Sequence, residues 1–470
     1  MMHGRGQQRN ADPSTDCLVI FGITGDLARK KTFQALYRLE SRGRLRCRII
    51  GVARNTWTDP ELRSHAADAI AATVDDPDPQ VVDRLDARMH YIAGDYGEAS
   101  TFEQVGKALE GAGDPVFYLE IPPSLFARVV HGLHDAGLTG RGRVVIEKPF
   151  GHDLASAREL NRDLLEVLDE SQIYRIDHFL GKEPVMDITY LRFANSLLEP
   201  VWNRAHISHV LISMAEDFGV AERGRFYDPV GTLRDVVQNH LLQVLALIAM
   251  EAPEGNHADP IRDKKQALLA AVRSADPKRY VRGQYEGYRD VEGVAPDSDT
   301  ETFVALSLVI DNWRWDGVPF FIRAGKCLPV KQTEVRVVFR RPPRVGFADG
   351  AHPQPNQLVI RIDPVPGARL RFIAKQAGSE AFEPADLEVL FEKTPGADPE
   401  PYERLLDDAL LGHSQLFARE ESVEHTWRII SPLLEQPGPV HPYKPGTWGP
   451  EEAARLPRGI GAWQEPWLPG

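Results

Sequence analysis

CLVIFGITGDL, at residues 17–27, joins a short apolar run to a turn that contains two glycines. The run predicts a buried strand, and residues 26–42 have the apolar periodicity of a helix. Glycines between a strand and a helix let the backbone approach a pyrophosphate, which the helix N-terminus attracts. An ordinary turn could also have this GxxGDL spacing, which differs from GxGxxG. We predict that the turn binds a dinucleotide through Gly22, Thr24, Gly25, Asp26 and Leu27.

Four further apolar runs repeat this alternation of strand and helix up to about residue 150. They lie at 48–52, 89–93, 116–119 and 143–146, with helical stretches between them. Such alternation predicts a parallel, doubly wound sheet, and therefore a Rossmann-like α/β domain.

The pattern changes after about residue 180 to strands with few helices between them. The predicted strands are 208–216, 302–310, 333–341, 356–363 and 368–375, and the predicted helices are 235–250 and about 401–434. Val335 and Val337 alternate with Arg336, which predicts an antiparallel sheet with one buried and one wet face. We expect a disordered leader at 1–16, a dinucleotide-binding domain at 17–177, and at 178–470 a larger α+β domain with a mainly antiparallel open sheet.

The composition argues against several classes of protein. The 470 residues carry a formal net charge of -13, which disfavours nucleic acid or an anionic membrane as the main partner. The three cysteines form no CxxC pair and the histidines no HExxH motif, so neither a disulfide framework nor a metal site is predicted. The longest apolar run, 241–250, is far shorter than the ~20 residues of a membrane helix. Residues 1–16 lack the apolar core of a signal peptide. We therefore expect a cytoplasmic protein.

The residue that follows the second strand indicates which dinucleotide binds. NAD-binding folds usually carry an acidic residue there, to hold the ribose 2′-hydroxyl, whereas Arg54 suits a 2′-phosphate and therefore NADP. A solvated surface charge is the alternative interpretation of Arg54. Asp95 and Tyr96 follow the third strand, at the expected cofactor crevice, and are further candidates.

Two segments carry candidate substrate-binding residues. Lys148, in Glu-Lys-Pro-Phe after the fifth strand, lies at the edge of the sheet where ligands bind. In RIDHFLGKE, at 175–183, a helix that begins at His178 would place His178 and Lys182 on one face as a phosphate clamp. Asp177 precedes them, and an ordinary cap or ion pair is the alternative role for its carboxylate.

His240 is the candidate general base. It lies at the rim of the apolar helix that DVVQNH opens, and a hydrogen-bonded core histidine is the alternative. Its ordinary pKa of ~6.5 suits proton removal near neutral pH, and Asp177 is the candidate carboxylate to orient it. Four other residues could bind a sugar or could be surface charges: Glu216, Asp235, Lys326 and Lys331.

Together these segments resemble glucose-6-phosphate dehydrogenases. The matching stretches, in the family's order, are GDLARKK (25–31), GVAR (51–54), EKPFG (147–151), RIDHFLGKE (175–183), DVVQNHLLQ (235–243), IRAGK (322–326) and YKPGTWGP (443–450). The resemblance implies oxidation of C1 of D-glucose 6-phosphate to 6-phosphogluconolactone with hydride transfer to NADP, the first step of the oxidative pentose phosphate pathway. It also implies no metal, and a homodimer or homotetramer assembled through the C-terminal sheet.

The resemblance implies a role for each candidate residue. His240 would take the proton of the C1 hydroxyl, with support from Asp177. His178 and Lys182 would hold the sugar phosphate, and Lys148 would reach substrate and cofactor. The sugar site would be lined by Glu216, Asp235, Lys326 and Lys331.

Two residues depart from the family pattern. Phe179 stands where many members have a tyrosine whose hydroxyl binds the phosphate, so another hexose 6-phosphate stays open as the preferred substrate. NAD in place of NADP is a separate alternative. Glu120 stands where an apolar or small residue is usual, and the sequence offers no account of it. Two other classes remain as alternatives: an oxidoreductase of the inositol-dehydrogenase type, and an NADP-binding sensor without turnover.

Overall fold

The computed structural model describes residues 15–255, 259–346, 352–391 and 399–468. Residues 1–14 of the expected leader lie outside the described residues. Thr15 is described and buried, and its hydroxyl donates a hydrogen bond to the Leu410 carbonyl.

The amino-terminal half forms a six-stranded, entirely parallel sheet. Its strands are β1 (Cys17–Phe21), β2 (Arg48–Ala53), β3 (Met89–Ala93), β4 (Val116–Leu119), β5 (Arg143–Glu147) and β6 (Ile173–Ile176). Their order is β3-β2-β1-β4-β5-β6, which reverses between β1 and β4. The predicted Rossmann-like sheet is confirmed, whereas β6 was not predicted.

Helices cover both faces of this sheet, which explains why every residue of β1 is buried. They are the π-helical segment Ala28–Thr32, α1 (Phe33–Ser41), α2 (Asp59–Thr73), α3 (Pro79–Asp86), α4 (Ala99–Ala108), α5 (Phe126–Asp135) and α6 (Leu154–Leu165). A capping box starts α2, where the Thr58 N–H donates to Glu61 Oε2 over 2.7 Å.

The remainder of the chain is built on a nine-stranded sheet. Its strands are β7 (Ile207–Ala215), β8 (Tyr280–Tyr285), β9 (Phe303–Leu308), β10 (Phe320–Gly325), β11 (Gln332–Phe339), β12 (Gln357–Asp363), β13 (Gly367–Lys375), β14 (Phe382–Leu390) and β15 (Val440–Tyr443). The order is β14-β13-β12-β11-β7-β10-β9-β8-β15. All neighbours are antiparallel except β7 with β10 and β8 with β15, so the predicted mainly antiparallel sheet is confirmed.

The helices of this half pack on the sheet, on one another and, in the case of the helix Pro401–Leu411, against helices of the amino-terminal half. They are α7 (Glu183–Phe193), α8 (Gly224–Tyr227), the π-helical segment Leu233–Leu241, α9 (Leu242–Ala249), α10 (Asp259–Ala271), α11 (Pro401–Leu411) and α12 (Glu420–Glu435). Short 3₁₀ turns lie at Pro123–Leu125, Glu170–Gln172, Glu199–Val201, Ala221–Arg223, Pro277–Arg279, Tyr288–Asp290 and Glu451–Arg455. The helical stretch predicted at 401–434 is two helices, because Gly412 ends α11 in the left-handed conformation (φ 78°).

The expectation of a wet face is wrong for β11. Glu334 and Arg336, on the face expected to meet solvent, are both buried. The chain's carboxyl-terminal segment covers them: the Trp467 N–H donates to Glu334 Oε2 (2.9 Å), and Arg336 donates to the Glu465 carbonyl (2.7 Å). Charged residues alternate along this strand because they are hydrogen-bonded beneath that segment.

None of the helices in the described part of the chain combines the length and apolar composition needed to cross a bilayer.

Candidate active site

A histidine and an aspartate from distant parts of the chain meet in the interior. His240 lies in the π-helical segment Leu233–Leu241, and Asp177 directly follows β6. His240 Nδ1 and Asp177 Oδ1 are 2.5 Å apart, and both side chains are buried. The Phe179 N–H also donates to Asp177 Oδ1 (3.0 Å), which fixes the carboxylate. With its proton on Nδ1, the ring presents Nε2 as an acceptor.

Lys148 faces that free nitrogen. Its Nζ lies 3.1 Å from His240 Nε2, and it also donates to the Asp235 carbonyl (3.0 Å). The Asp235 carboxylate is 3.6 Å away. The Lys148–Pro149 peptide bond is cis. The predicted candidates His240, Asp177, Lys148 and Asp235 therefore form one connected cluster.

The π-helical geometry explains how Asp235 and His240 reach the same lysine. The two residues are five apart, and in a regular α-helix residues at that spacing point in different directions. Hydrogen bonds from residue i to i+5 instead bring residues five apart over one another. A regular α-helix through 233–241 would therefore separate one of them from Lys148.

Burial and the contact between the two side chains together set the charge states of Asp177 and His240. Burial alone would raise the pKa of the Asp177 carboxyl, but His240 outweighs this effect and holds that pKa well below its usual range. Burial lowers the pKa of His240; Asp177 opposes this effect and Lys148 adds to it. The arrangement is an ionised carboxylate beside a neutral imidazole near neutral pH, which suits a general base.

Phe179 packs against the free face of the His240 ring. The two rings are stacked with centroids 4.6 Å apart and an interplanar angle of 18°. The Lys182 ammonium lies 4.2 Å from the Phe179 centroid, and the His178 ring meets His240 edge-on at 4.6 Å. Phe179 therefore links the candidate base to the candidate phosphate-binding residues.

The expected helix at His178 is wrong. Residues 178–181 form a turn, and α7 begins at Glu183. Pro184 explains the later start, since a proline is tolerated in the first turn but its ring would clash with the carbonyl of residue 180 in a longer helix. His178 and Lys182 are thus adjacent through the turn and Phe179. The Lys182 Nζ also pairs with Asp363 Oδ2 (3.0 Å).

The other candidate sugar-binding residues lie at the end of the large sheet. Lys326 Nζ is 2.5 Å from Glu216 Oε2, and these residues directly follow the parallel neighbours β10 and β7. Lys331 precedes β11 and is exposed, and among the described residues no ion pair joins it to the rest of the cluster.

The glycine turn closes over the start of the first helix. Gly22 has φ +88°, a conformation that favours glycine, and its N–H donates to the Val52 carbonyl (2.8 Å). The Thr24 hydroxyl donates to Asn55 Oδ1 (3.0 Å), which ties the turn to the end of β2. Asp26 is exposed and pairs with Lys30 at 3.2 Å. Two candidates remain in this segment: Gly25 lies in the turn, and Leu27 lies at the start of the helix that follows.

The crevice beside this turn has a donor set that fits an anionic dinucleotide. The Arg54 side chain is 70% exposed, and Asp95 Oδ2 lies 4.0 Å from its Nη1. A guanidinium in this position is available to a phosphate, and the helix start adds unpaired backbone N–H groups. Tyr96, the further candidate, is buried, and its hydroxyl donates to the Val52 carbonyl (3.1 Å), which ties it to β2.

Two aromatic residues of the site were not predicted from the sequence. Tyr402 of α11 stacks on His178 with centroids 6.3 Å apart, and Tyr118 of β4 donates to Glu147 Oε1 over 2.7 Å. Neither has a sequence signal, because α11 is more than 200 residues from His178 and Tyr118 sits in an ordinary apolar strand.

Asp177, His178 and His240 also offer ligand-type atoms within 4.8 Å of one another. The His240 Nδ1 atom is engaged with Asp177, so this cluster is better described as a hydrogen-bonded dyad with a neighbouring imidazole than as a metal site.

A parallel sheet with a glycine turn at its reversal point, beside a buried Asp–His dyad and a lysine, defines a class: two-domain, dinucleotide-dependent dehydrogenases. Two family models match the chain, "Glucose-6-phosphate dehydrogenase, NAD binding domain" over residues 19–187 and "Glucose-6-phosphate dehydrogenase, C-terminal domain" over residues 189–464. The chain belongs to the glucose-6-phosphate dehydrogenase family, which confirms the resemblance read from the sequence.

Similar proteins cover nearly the whole chain. It is 53% identical over 457 residues to glucose-6-phosphate 1-dehydrogenase 1 of Mycobacterium tuberculosis, covering 97% of each chain. A crystal structure of glucose-6-phosphate 1-dehydrogenase from Mycobacterium avium has a TM-score of 0.91 at 53% identity, over 97% of this chain and 100% of that one. A glucose-6-phosphate dehydrogenase in complex with its substrate glucose-6-phosphate has a TM-score of 0.90 at 35% identity, over 96% and 99%.

Proposed function

We propose that the chain oxidises C1 of D-glucose 6-phosphate to 6-phosphogluconolactone with NADP as the hydride acceptor, the first step of the oxidative pentose phosphate pathway. The observation that carries this proposal is the 2.5 Å contact between His240 Nδ1 and Asp177 Oδ1, which leaves Nε2 as a base. NADP, when bound, accepts the hydride from C1. The reaction needs no metal, because a protein base takes the proton.

The dyad residues divide the proton transfer between them. His240 Nε2 removes the proton of the C1 hydroxyl, and Asp177 stabilises the imidazolium that forms. Lys148, 3.1 Å from Nε2, shifts toward substrate and cofactor as the hydroxyl takes its place. Burial lowers the pKa of His240 and the positive charge of Lys148 adds to this effect, which favours the neutral imidazole that a base requires.

The remaining candidates bind the two ends of the sugar phosphate. His178 and Lys182 bind the phosphate, and Phe179 positions Lys182 through its ring. Sugar hydroxyls exchange hydrogen bonds with Asp235 of the π-helical segment and, at the edge of the large sheet, with Glu216, Lys326 and Lys331. We further propose that residues 17–177 form the dinucleotide-binding domain and residues 178–470 the domain for substrate binding and oligomerisation.

The test is a steady-state assay of the purified chain with several hexose 6-phosphates and unphosphorylated polyols, each with NADP and NAD. The highest kcat/KM is expected for glucose 6-phosphate with NADP. A higher value for another hexose phosphate, or for NAD, would change the substrate or cofactor. Turnover of polyols alone would favour the inositol-dehydrogenase type. Dinucleotide binding without turnover of any sugar phosphate would identify a sensor.

Arg54→Ala should weaken NADP more than NAD. Arg54 directly follows β2, and its exposed guanidinium is proposed to pair with the 2′-phosphate, which NAD lacks. Loss of a hydrogen bond to a charged group costs about 1.5–3 kcal/mol, so KM for NADP should rise about ten- to a hundredfold. The measurement is kcat/KM for both cofactors, and equal losses for the two would remove the proposed role.

Phe179→Tyr should tighten sugar phosphate binding. The added hydroxyl would sit beside Lys182 and supply the phosphate ligand that many family members have. KM for glucose 6-phosphate should fall by up to about tenfold with little change in kcat. An unchanged KM would mean that neighbouring residues already compensate, and a large fall in kcat would mean that the hydroxyl disturbs the stacking on His240.

We propose a homodimer or homotetramer formed through the large sheet. Phe372, Leu387 and Val389 share one face of β13 and β14, and their exposed fractions are 43%, 63% and 59%. An apolar face of this kind on a terminal strand pair favours contact with a second copy. Light scattering of the wild type and of Leu387→Asp tests this proposal, and a monomeric wild type would contradict it.

We also propose a cytoplasmic location. The three cysteines, Cys17, Cys47 and Cys327, are all free thiols, which suits a reducing compartment.

A further inference from the structure

Glu120 occupies a position that the proposed reaction does not use. It directly follows β4, and its N–H donates to the Phe21 carbonyl at the end of β1 (2.9 Å). A Cβ atom on Gly22 would lie 2.2 Å from the Glu120 carbonyl oxygen. Glu120 therefore lies against the first residue of the dinucleotide turn, at the point where the strand order reverses.

Glu120 and Glu147 form a carboxyl pair at the ends of neighbouring strands. The register of β4 and β5 pairs Leu119 with Ile146, so the two glutamates come next to each other at the same sheet edge. Neighbouring strands are about 4.8 Å apart, and both side chains point to the same face. The Tyr118 hydroxyl, which donates to Glu147 Oε1 over 2.7 Å, lies on that face too.

Several elements enclose the carboxyl pair. From the π-helical segment Ala28–Thr32, the Thr32 hydroxyl donates to Glu120 Oε1. The other titratable or charged groups that act on the pair come from β4, α11 and the ends of β5 and β6; they are Tyr118, Tyr402, Lys148 and Asp177.

Both carboxyls hold their protons to unusually high pH. Burial raises the pKa of Glu120 to about 8, against the hydrogen bond from Thr32 and with added repulsion from Glu147. Burial raises the pKa of Glu147 to about 7, against the hydrogen bond from Tyr118 and the charge of Lys148. An ordinary glutamate titrates near ~4.3. The pair therefore gains negative charge as the pH rises from 7 to 9.

The carboxyl pair lies on the nicotinamide side of the crevice, an argument that rests on the proposed function. A dinucleotide crosses the sheet where the strand order reverses, with one nucleotide half on each side. If Arg54 at the end of β2 holds the 2′-phosphate of the adenosine half, the nicotinamide half lies over β4 and β5. The oxidised nicotinamide ring is positively charged and the reduced ring is neutral.

We propose that Glu120, together with Glu147, discriminates between the oxidised and the reduced cofactor by charge, and that this discrimination depends on pH. The ionised pair attracts the cationic oxidised ring and gives the neutral reduced ring no such advantage. The protonated pair treats the two forms alike. Glu120 is thus a specificity-determining residue for the redox state of the cofactor.

The test is the affinity of the full-length chain for NADP⁺ and NADPH between pH 7 and 9, without sugar phosphate, measured by quenching of tryptophan fluorescence. The ratio of Kd for NADPH to Kd for NADP⁺ should rise about fivefold over this range in the wild type, the order expected from one added charge acting across partly solvated protein. In Glu120→Gln the ratio should rise by no more than about twofold, because only Glu147 remains to titrate and, with a pKa of about 7, it is already half ionised at the start of the range.

Two further variants complete the design. Glu103→Gln removes an exposed carboxylate of α4 and should keep the wild-type slope. Thr32→Val retains Glu120 but removes a hydrogen bond that lowers its pKa, so the rise should move to higher pH; this variant also serves if Glu120→Gln does not fold. A wild-type ratio that is independent of pH, or the same slope in Glu120→Gln, would overturn the inference. Failure to bind either dinucleotide would instead contradict the proposed function.

Discussion

His240→Asn should lower kcat by about a hundred- to ten-thousandfold. Asparagine can still donate toward Asp177 but has no group that takes a proton near neutral pH, and a positioned general base contributes about 10²–10⁴-fold. The substitution also removes the ring on which Phe179 stacks. Because the phosphate-binding residues His178 and Lys182 remain, KM should change by only a few fold. Steady-state kinetics with glucose 6-phosphate and NADP give both quantities.

The same preparation should still bind sugar phosphate, which calorimetry measures directly. His131→Asn is the matched control, because that side chain is 39% exposed on α5, away from the dyad, and its loss should leave kcat unchanged. If His240→Asn kept near wild-type turnover, His240 would not be the base. If it lost binding and turnover together, its role would be structural.

Asp177→Asn should lower kcat about a hundred- to a thousandfold. The carboxylate accepts hydrogen bonds from His240 Nδ1 and from the Phe179 N–H, and it stabilises the imidazolium formed during the reaction. An amide keeps the shape but loses the charge. Because the two residues act as a unit, Asp177→Asn should have little further effect in a chain that already carries His240→Asn.

The pH profile separates this role from a structural one. Burial lowers the pKa of His240 and the Asp177 carboxylate opposes that effect, so removing the charge should lower the pKa further. The base works unprotonated, and the decline of kcat/KM toward acid should therefore shift to lower pH. Asp135→Asn, an exposed change at the end of α5, should not move the profile. Additive losses in the double variant, or an unshifted profile, would contradict the coupling.

Much of the parallel sheet could be predicted because its strands are nearly continuous apolar runs. β1 and β4 fit this pattern fully, since helices bury both of their faces, and β2, β3 and β5 fit it with only a few exposed or half-buried positions. β6 was missed because Arg175, with 1% exposure, interrupts its apolar pattern, and Glu170 and Asn161 satisfy that charge in the fold. A buried, paired arginine looks like a surface residue until its partners are known.

The strands of the second sheet were harder to predict, both because buried arginines interrupt their apolar patterns and because one edge strand is mostly exposed. Arg282 in β8 and Arg323 in β10 are buried with partners from distant segments. β14 carries mostly exposed residues at the edge of the sheet, so it shows no pattern of one buried face. A strand that depends on partners distant in the sequence has no periodic pattern of apolar residues from which it could be predicted.

The candidate site was predictable where the chemistry needs particular residue types. The Asp177–His240 hydrogen bond was proposed from the sequence, and the residues are in contact. The stacking of Phe179 on His240 was not, because it depends on the turn that Pro184 imposes before α7. The phosphate-binding candidates were named from a helix that does not form, and the turn brings them to the same place.

The wide turn of Leu233–Leu241 bears on how this segment tolerates changes in length. Removing one residue between Asp235 and His240 would let the turn tighten to α-helical spacing while α9 stays buried where it is. The two residues would then be four apart in a regular α-helix, a spacing that also places them on one face, so Asp235 should stay beside Lys148. Inserting one residue instead would place them six apart and turn Asp235 away from Lys148. Among related sequences, a one-residue gap here would therefore leave the active site connected, whereas a one-residue insertion would separate its parts.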